Sequence, residues 1–244
     1  MELLFVGTGV GVPNRERIGS SLYVKIKHIS LLIDLAPGVL RRLEELNIRY
    51  QDIDYFLITH FHVDHILELP LLLFVAKYPL DPRQKVWQFC GPHGIDKLFD
   101  KLLYAYGKQI APDVPINFIE MPPNTLYLPG YVVTAFRTVH TRESHGYKIE
   151  GRGKKIVYSG DTEFSISLIE VSESADILIL EASFPFDTTG HMTPERAAEL
   201  AREAHAKRLI LTHMYPLKFD LAIKRAKQIF PDIEVAYDGL KIIL

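Results

Sequence analysis

Four side chains of the types that bind metal ions stand within six residues, directly after the apolar run Tyr55–Ile58. They are His60, His62, Asp64 and His65. In an extended segment, His60 and His62 face the same side, because successive side chains alternate. Asp64 and His65 are adjacent, must therefore diverge, and suit a second ion. The layout predicts two metal ions about 3.5–4 Å apart, a spacing that holds both the attacking and the leaving oxygen of a hydrolysis.

Three further donors each follow a short apolar run later in the chain. They are His140, Asp161 and His213. Side chains from the ends of separate strands can converge on one sheet edge, where rigid elements hold them. Imidazole and carboxylate ligands without thiolate favour Zn²⁺ first, with Mn²⁺ or Fe²⁺ as alternatives. The single cysteine, Cys90, excludes a site made only of thiolates and an internal disulfide framework.

The elements that must position these donors are short apolar runs rich in Val, Ile, Tyr and Phe, which predict strands. They are Leu3–Val6, Ser21–Ile26, Leu31–Leu35, Tyr55–Ile58, Val86–Phe89, Tyr131–Phe136, Lys155–Tyr158, Ile177–Leu180, Arg208–Leu211 and Lys241–Leu244. Helical patterns lie at Gly38–Leu46, Pro194–Ala204 and Phe219–Ile229, and Thr193 is a typical N-cap for the second. Early strands follow one another as hairpins and later strands alternate with helices, which predicts an α/β fold with two sheets and helices outside.

Length and composition predict one globular domain over residues 1–244. Hydrophobic residues make up 48% and charged residues 24%, which excludes a disordered chain or a coiled coil. The net charge of −2 argues against broad, sequence-blind binding to polyanions. The longest apolar stretch, Leu69–Ala76, is far shorter than the ~20 residues that span a bilayer, so we expect no membrane partner. With no visible signal peptide and one cysteine, the expected compartment is the cytoplasm.

The ligand segment Thr59–His65 and the three later donors together resemble the metallo-β-lactamase superfamily. The resemblance implies a four-layer αβ/βα sandwich, in which helices flank two mixed β-sheets. It also implies a set of ligands for each of two ions. One ion is bound by His60, His62 and His140. The other is bound by Asp64, His65 and His213, and Asp161 bridges the two.

Within that superfamily, three stretches are similar to the ribonuclease Z branch. They are the glycine-rich opening Phe5–Pro13, the strand and turn Ala175–Phe184, and the His-x-Thr element Gly190–Ala198. The resemblance implies that His191 faces the scissile phosphate and that Glu181 orients its imidazole. The chemistry agrees, because a histidine at a helix start can donate a proton to an oxygen that gains charge in the transition state. In the competing interpretation, His191 is only a loop residue before a capped helix.

The chain departs from the ribonuclease Z branch between His140 and Asp161. There the branch carries a long flexible arm that grips the tRNA elbow. Only twenty residues separate the two ligands in this sequence, and they predict a hairpin that turns at Gly151–Gly153. The departure favours arm-less relatives that hydrolyse small or nucleotide phosphodiesters.

The leading hypothesis is a dinuclear metal-dependent hydrolase, a phosphodiesterase that attacks a small, nucleotide or RNA phosphodiester with a water activated between the ions. Asp64 orients or deprotonates that water, and His191, held by Glu181, assists the leaving group. Two alternatives use the same metals: a tRNA 3′-processing endonuclease, and a hydrolase of a lactone, thioester or β-lactam. A metal-stabilised binding module without turnover is a further alternative. The apolar run Leu67–Phe74 predicts a homodimer face, although it suits a core equally well.

Overall fold

The computed structural model describes residues 1–77, 85–111, 113, 115–122 and 124–244. Its strands form two seven-stranded sheets. The first sheet begins with β1 (Glu2–Gly7), β2 (Ser21–Ile26), β3 (Ile29–Ile33), β4 (Tyr55–Leu57), β5 (Trp87–Gly91) and β6 (Ile116–Glu120). The second sheet contains β7 (Thr125–Leu128), β8 (Tyr131–Arg137), β9 (His145–Gly151), β10 (Lys154–Tyr158), β11 (Ile177–Glu181), β12 (Leu209–Thr212) and β13 (Ile233–Val235). The last strand, β14 (Lys241–Ile243), returns to the first sheet beside β1.

Helices cover the outer face of each sheet. They are α1 (Val39–Glu45), α2 (Val63–Ile66), α3 (Leu69–Lys77), α4 (Ile95–Tyr106), α5 (Ile166–Ser172), α6 (Pro194–Glu203) and α7 (Asp220–Ile229). Residues of α1, α3 and α4 pack on the first sheet, and residues of α5, α6 and α7 pack on the second. The predicted four-layer sandwich of two mixed sheets flanked by helices is confirmed. None of the described helices has the length and apolarity that a membrane crossing requires.

Strands such as β1 and β11 are almost entirely apolar because both of their faces are buried. In β1, Leu3 and Phe5 point into the core between the sheets, whereas Leu4 and Val6 point towards the helices. The same alternation divides β11, where Ile177 faces the other sheet and Leu178 faces the helices. Side chains of a strand alternate between its two faces, so two covered faces require a continuous apolar run.

The middle of the second sheet differs from the sequence prediction. Strands β7 to β10 follow one another as an antiparallel meander, and only from β10 onward do parallel strands alternate with helices. The hairpin predicted at Gly151–Gly153 is confirmed as the β9–β10 connection. Its turn residues Arg152 and Gly153 have φ angles of 52° and 70°. Turns with two positive φ angles suit a tight hairpin, because their twist matches that of the strands.

Candidate metal centre

The ends of parallel strands bring most of the predicted ligands to one edge of the sandwich. His60 follows β4, Asp161 follows β10 and His213 follows β12. In the second sheet, β11 pairs in parallel with both β10 and β12, so the three carboxyl ends open at the same edge. The loop after β8 carries His140, and its Val139 carbonyl accepts a hydrogen bond from the Glu163 amide at 2.9 Å. The topology therefore assembles ligands that lie far apart in the sequence.

Asp161 stands at the centre of the cluster, with one carboxylate oxygen towards each group of histidines. Its Oδ2 lies 3.9 Å from His60 Nε2 and 3.7 Å from His140 Nε2. Its Oδ1 lies 3.4 Å from His65 Nε2 and 3.4 Å from His213 Nε2. These separations exceed hydrogen-bond distance but suit donors that share a cation between them.

The remaining predicted ligands complete the two groups. His62 Nδ1 lies 3.0 Å from His140 Nε2, on the side of His60. Asp64 Oδ2 lies 3.9 Å from His65 Nε2 and 3.6 Å from His213 Nε2. The expectation that Asp64 and His65 diverge is wrong, because the first turn of α2 curls both side chains towards the same point. All seven predicted ligands converge.

Buried polar atoms without hydrogen-bond partners point into this cluster. Among the described residues, these orphaned atoms include Nε2 of His60, His65 and His213, together with Oδ1 of Asp161. Burying a polar group without a partner is costly, so native structures rarely leave several such atoms face to face. Imidazole nitrogens and carboxylate oxygens are ligands of Zn²⁺ and related divalent ions. The donor set therefore fits a divalent metal centre.

In every histidine of the two groups except His62, Nε2 faces the cluster and Nδ1 hydrogen-bonds to an acceptor of the protein. The Nδ1–H of His60 donates to Thr59 Oγ1 (3.0 Å), and that of His65 donates to Asp34 Oδ2 (2.8 Å). The Nδ1–H of His140 donates to the Gly190 carbonyl (2.8 Å), and that of His213 donates to Ser183 Oγ (3.0 Å). Such bonds fix the tautomer and the ring orientation of a metal-binding histidine. The Nε2 lone pairs are consequently left for the cluster.

Asp34 is a candidate site residue that the sequence prediction missed. It is fully buried, and besides His65 it accepts hydrogen bonds from the backbone amide and the hydroxyl of Thr59. Its φ angle of 64° is strained for a residue other than glycine. The available signal was a lone carboxylate inside the apolar run Leu31–Leu35, where a charge is expensive unless it has partners.

His191 and Glu181 form a second constellation at the edge of the cluster. His191 Nδ1 donates to Glu181 Oε1 at 2.8 Å and lies 4.0 Å from Asp161 Oδ2. Glu181 is buried and also accepts hydrogen bonds from the amides of Thr162 and Met192 and from the amide and hydroxyl of Ser183. Because these hydrogen bonds fix the Glu181 carboxylate, the carboxylate in turn fixes the His191 ring, with Nε2 on the side away from Glu181. The predicted pairing of these two residues is present in the structure.

Burial and neighbouring imidazoles favour the neutral forms of His60 and His62. Burial and the nearby His65 lower the pKa of His60 to about 2. Burial and the neighbouring His140 also lower the pKa of His62. A metal ion competes with protons for the imidazole lone pair, so a neutral ring is ready to bind.

The carboxylates of the cluster are held ionised. Burial acts against ionisation of Asp161, but His213 and His65 hold the pKa of that carboxyl well below its usual range. Burial acts in the same way on Asp64, and its contact with His213 lowers the pKa of the carboxyl. These two negative charges can balance the charge of bound cations.

Comparison with known proteins agrees with this chemistry. A family model described as a beta-lactamase superfamily domain matches residues 30–214. The chain is 26% identical to the ribonuclease Z of Archaeoglobus fulgidus, with 99% of this chain and 97% of that protein covered. It is 27% identical to the ribonuclease Z of Bacillus subtilis, with 99% and 98% covered. The resemblance to the ribonuclease Z branch is confirmed.

Solved structures share the fold over the whole chain. The metallo-beta-lactamase fold protein YhfI from Bacillus subtilis is 26% identical with a TM-score of 0.86, covering 99% of this chain and 98% of that one. The short form of human tRNase Z is 24% identical with a TM-score of 0.81, covering 100% and 99%. Together with the ligand cluster, the family match and the ribonuclease Z relatives identify a metal-dependent hydrolase. By the family model, the fold and the convergent ligands, this chain belongs to the beta-lactamase superfamily.

Proposed function

We propose that this protein is a dinuclear, zinc-dependent phosphodiesterase that acts on nucleotide or RNA phosphodiesters. One observation carries the proposal. The two oxygens of Asp161 face two separate histidine groups, and His191, paired with Glu181, stands 4.0 Å from the same carboxylate. A centre for two cations, next to a proton donor that is fixed by a hydrogen bond to a carboxylate, suits the hydrolysis of a negatively charged ester.

Each ion has its own set of ligands in this proposal. His60, His62 and His140 hold one ion, and Asp64, His65 and His213 hold the other, with Asp161 shared. Zn²⁺ suits these nitrogen and oxygen donors best, while Mn²⁺ and Fe²⁺ remain alternatives. When bound, the two ions supply Lewis acidity towards phosphoryl oxygens and lower the pKa of water from 15.7 towards about 7.

His191 is proposed as the general acid. Burial acts to lower its pKa, but the hydrogen bond from Nδ1 to Glu181 raises the pKa above the ordinary value. A raised pKa increases the fraction of imidazolium near neutral pH, and an imidazolium has a proton on Nε2 to give. His191 therefore protonates the leaving oxygen, and Glu181 stabilises the positive charge that the ring carries beforehand.

Asp64 is proposed to orient the attacking water and to accept its proton. The lowered pKa keeps this carboxylate ionised, and its Oδ2 faces the cluster beside His213 and His65. Its side chain is only partly buried, with 27% exposed, so solvent reaches it. A carboxylate that is both ionised and reachable can exchange protons with water during turnover.

The substrate class rests on two supports. Several relatives at 25–29% identity are named ribonuclease Z, which makes a nucleotide-containing diester the natural substrate class. Between His140 and Asp161 the chain has only the short β9–β10 hairpin, which leaves no room for an arm that grips tRNA. A small or nucleotide diester therefore fits better than a whole precursor tRNA, and tRNA 3′ processing is the second candidate.

A homodimer is proposed through the exposed apolar side of α3. Leu67, Leu71 and Phe74 have 51%, 48% and 41% of their surface exposed. Together with Pro70 they line a shallow cavity of about 330 Å³. Contiguous exposed apolar surface of this kind marks an interaction site more often than scattered exposed residues do.

Metal content tests the paired centre. Protein loaded with excess Zn²⁺ and freed of loose metal should hold two ions per chain by elemental analysis. Asp161→Ala should lose metal and activity together, whereas His191→Ala should keep both ions. One ion or fewer in the wild-type protein would contradict the dinuclear proposal.

Turnover tests the reaction class. Metal-loaded protein should hydrolyse bis(4-nitrophenyl) phosphate with a kcat/KM well above that for a carboxylic ester or a β-lactam run alongside. His191→Ala should lower kcat by about 10²–10⁴-fold, the usual contribution of a general acid. His205→Ala is the matched control, because His205 is exposed beside Glu173 and away from the cluster. Cleavage of the ester without the diester would assign the site to carbonyl chemistry instead.

Precursor tRNA tests the second candidate. The phosphodiesterase proposal expects the precursor to remain intact at an enzyme concentration that hydrolyses the small diester completely. Cleavage of the precursor at its 3′ end with comparable efficiency would establish the tRNA-processing function.

A further inference from the structure

We propose that Phe184, Phe186 and Tyr215 form an aromatic platform that stacks a nucleobase on the leaving-group side of the metal centre. The inference rests on the proposed phosphodiesterase function and names what its substrate carries beyond the scissile phosphate. It assigns a role to three rings that the metal chemistry does not use.

Phe184 contacts both of the other rings. It stacks on Tyr215 with ring centroids 4.3 Å apart and an interplanar angle of 26°. It also lies 5.5 Å from Phe186 at an interplanar angle of 37°. These rings already pack on one another, so a further aromatic ring would stack on the exposed Phe186 at the end of the platform.

The platform opens to solvent. Phe186 has 56% of its surface exposed, and nearby Leu217 has 45%. A ring that served only the core would be covered, as Phe5 and Phe89 are. Exposed apolar surface at the mouth of a polar site costs free energy in water, and a stacked ligand recovers it.

The platform is fixed relative to the proposed proton donor. The Phe184 ring meets the His191 ring with centroids 5.6 Å apart at 65°. The Tyr215 amide donates to the Ser183 carbonyl at 3.2 Å, which ties both segments to the buried end of β11. A group stacked here lies next to the oxygen that His191 protonates, which is the leaving side of the reaction.

The polar surroundings favour a nucleoside over a purely apolar group. A cavity of about 490 Å³ is lined in part by His191 and by Asp187, Thr188 and Thr189, which directly follow Phe186 in the chain. This volume lies within the roughly 300–1,000 Å³ of ordinary ligand sites. Carboxylate and hydroxyl groups accept hydrogen bonds from the amino edge of a base or the hydroxyls of a sugar.

Hydrolysis of such a diester exchanges one oxygen at phosphorus for another. The oxygen of water forms a bond to phosphorus, and the bond from phosphorus to the nucleoside oxygen breaks. His191 gives its proton to that oxygen, and the proton lost by water passes to Asp64. The products are a phosphate monoester and a free nucleoside hydroxyl.

Binding tests the platform without turnover. Calorimetry on the metal-loaded protein should give AMP an affinity about tenfold higher than ribose 5-phosphate, since only AMP carries a base that can stack on an aromatic side chain. Phe186→Ala should remove the preference and Phe186→Trp should keep it. Tyr127→Ala is the matched control, because Tyr127 is 81% exposed on β7 and away from the cluster. Equal affinities in the wild-type protein would overturn the proposal.

Turnover tests which side of the phosphate the base occupies. Dinucleotides that lack the base on one nucleoside or on the other are compared by kcat/KM, and the fragment released without phosphate identifies the leaving nucleoside. Removal of the leaving base should lower kcat/KM about tenfold in the wild type and have no effect in Phe186→Ala. An equal loss from either base would overturn the placement.

The outcomes separate this inference from the proposed function. If no diester is hydrolysed but AMP still binds better than ribose 5-phosphate through Phe186, the function fails and the platform stands. If diesters are hydrolysed with no base effect, the function stands and the platform fails. If Phe186→Ala changes only the sedimentation coefficient, the rings form a protein contact and the platform is likewise overturned.

Discussion

At the scale of single residues, the centre depends on which nitrogen of each imidazole is occupied. Four rings of the cluster donate Nδ1–H to acceptors that belong to the fold, including Asp34 behind His65 and Ser183 behind His213. The acceptors are themselves held, because Ser183 Oγ donates to Glu181 Oε2. Glu181 thus contacts His191 directly and the predicted ligand His213 through Ser183.

Asp34→Asn should weaken metal binding about 10- to 100-fold, because an amide in that position is a poorer acceptor for the Nδ1–H of His65. Competition with a chromogenic chelator measures the change in metal affinity. Asp100→Asn is the control, since Asp100 is exposed on α4. Unchanged affinity in Asp34→Asn would show that the buried bond to His65 has no influence on the metal.

His145 should make the protein less stable in mild acid. It is fully buried, its Nε2 lies 2.8 Å from the Tyr147 hydroxyl, and burial lowers its pKa from 6.5 to about 4. As the pH falls, the His145 ring takes up a proton in the unfolded chain before it does so in the folded protein. The stability that the neutral, buried His145 contributes is therefore complete above pH 6.5 and is lost as the pH falls towards 4. At 1.36 kcal/mol per pKa unit, the loss is about 3 kcal/mol.

Denaturant unfolding of the wild type and His145→Gln between pH 7 and 4 measures this dependence. The variant lacks the titrating ring, so its free energy of unfolding should fall less steeply by about the same 3 kcal/mol. Groups common to both proteins cancel in the difference. Parallel curves would contradict the assignment of this acid sensitivity to His145.

At the scale of elements, the loops that follow parallel strands carry the candidate site residues. Helix α6 begins three residues after His191, with Thr193 Oγ1 accepting from the Arg196 amide at 3.2 Å and Pro194 at the first position. An N-cap satisfies one of the free amides of the first turn, and proline is preorganised there. The cap therefore fixes where the helix begins and with it the loop that carries His191.

Thr193→Ala should lower the free energy of unfolding by about 1 kcal/mol, because the first turn loses its side-chain acceptor. Chemical denaturation measures the loss, and Thr193→Ser should retain most of the stability. Ser165→Ala, which removes the equivalent cap of α5, should cost a similar amount while leaving kcat unchanged. A fully stable Thr193→Ala protein would show that the cap contributes nothing.

At the scale of the whole molecule, two sheets bury a core between them and a second apolar layer beneath each set of helices. The metal cluster lies at one edge of this sandwich, and the exposed side of α3 is the proposed dimer face. The ligand segment leads directly into α2 and α3, so an interface on α3 would lie close to the metal centre in sequence and in space.

Leu71→Glu should convert the proposed dimer to a monomer, because a charge on an apolar interface must be desolvated without a partner. Sedimentation velocity at micromolar protein measures the change, while metal content should stay the same. Ile166→Glu is the control, since Ile166 is 73% exposed at the start of α5 on the opposite helical layer. A wild-type protein that sediments as a monomer would contradict the interface.

Much of the fold was predictable because local patterns encode it. The run Ser21–Ile26 is predicted with the bounds of β2, and the capped pattern at Pro194–Ala204 corresponds to α6 within one residue. Strands β6, β7 and β13 were missed, as were four helices including α3. Ile116–Glu120 mixes polar and apolar residues at a sheet edge, where one face is less buried and the pattern is weak.

The sequence by itself determined the inventory of the site: which histidines and carboxylates stand directly after buried strands, and that no thiolate joins them. Only the tertiary structure decided how they meet. It placed Asp34 behind His65 across 31 residues, turned Asp64 towards its neighbour in α2, and set the Phe184 ring beside His191. Periodicity and caps are local, so they fix elements. Convergence depends on how strands pair and pack across the chain, and that is settled only when the sheets form.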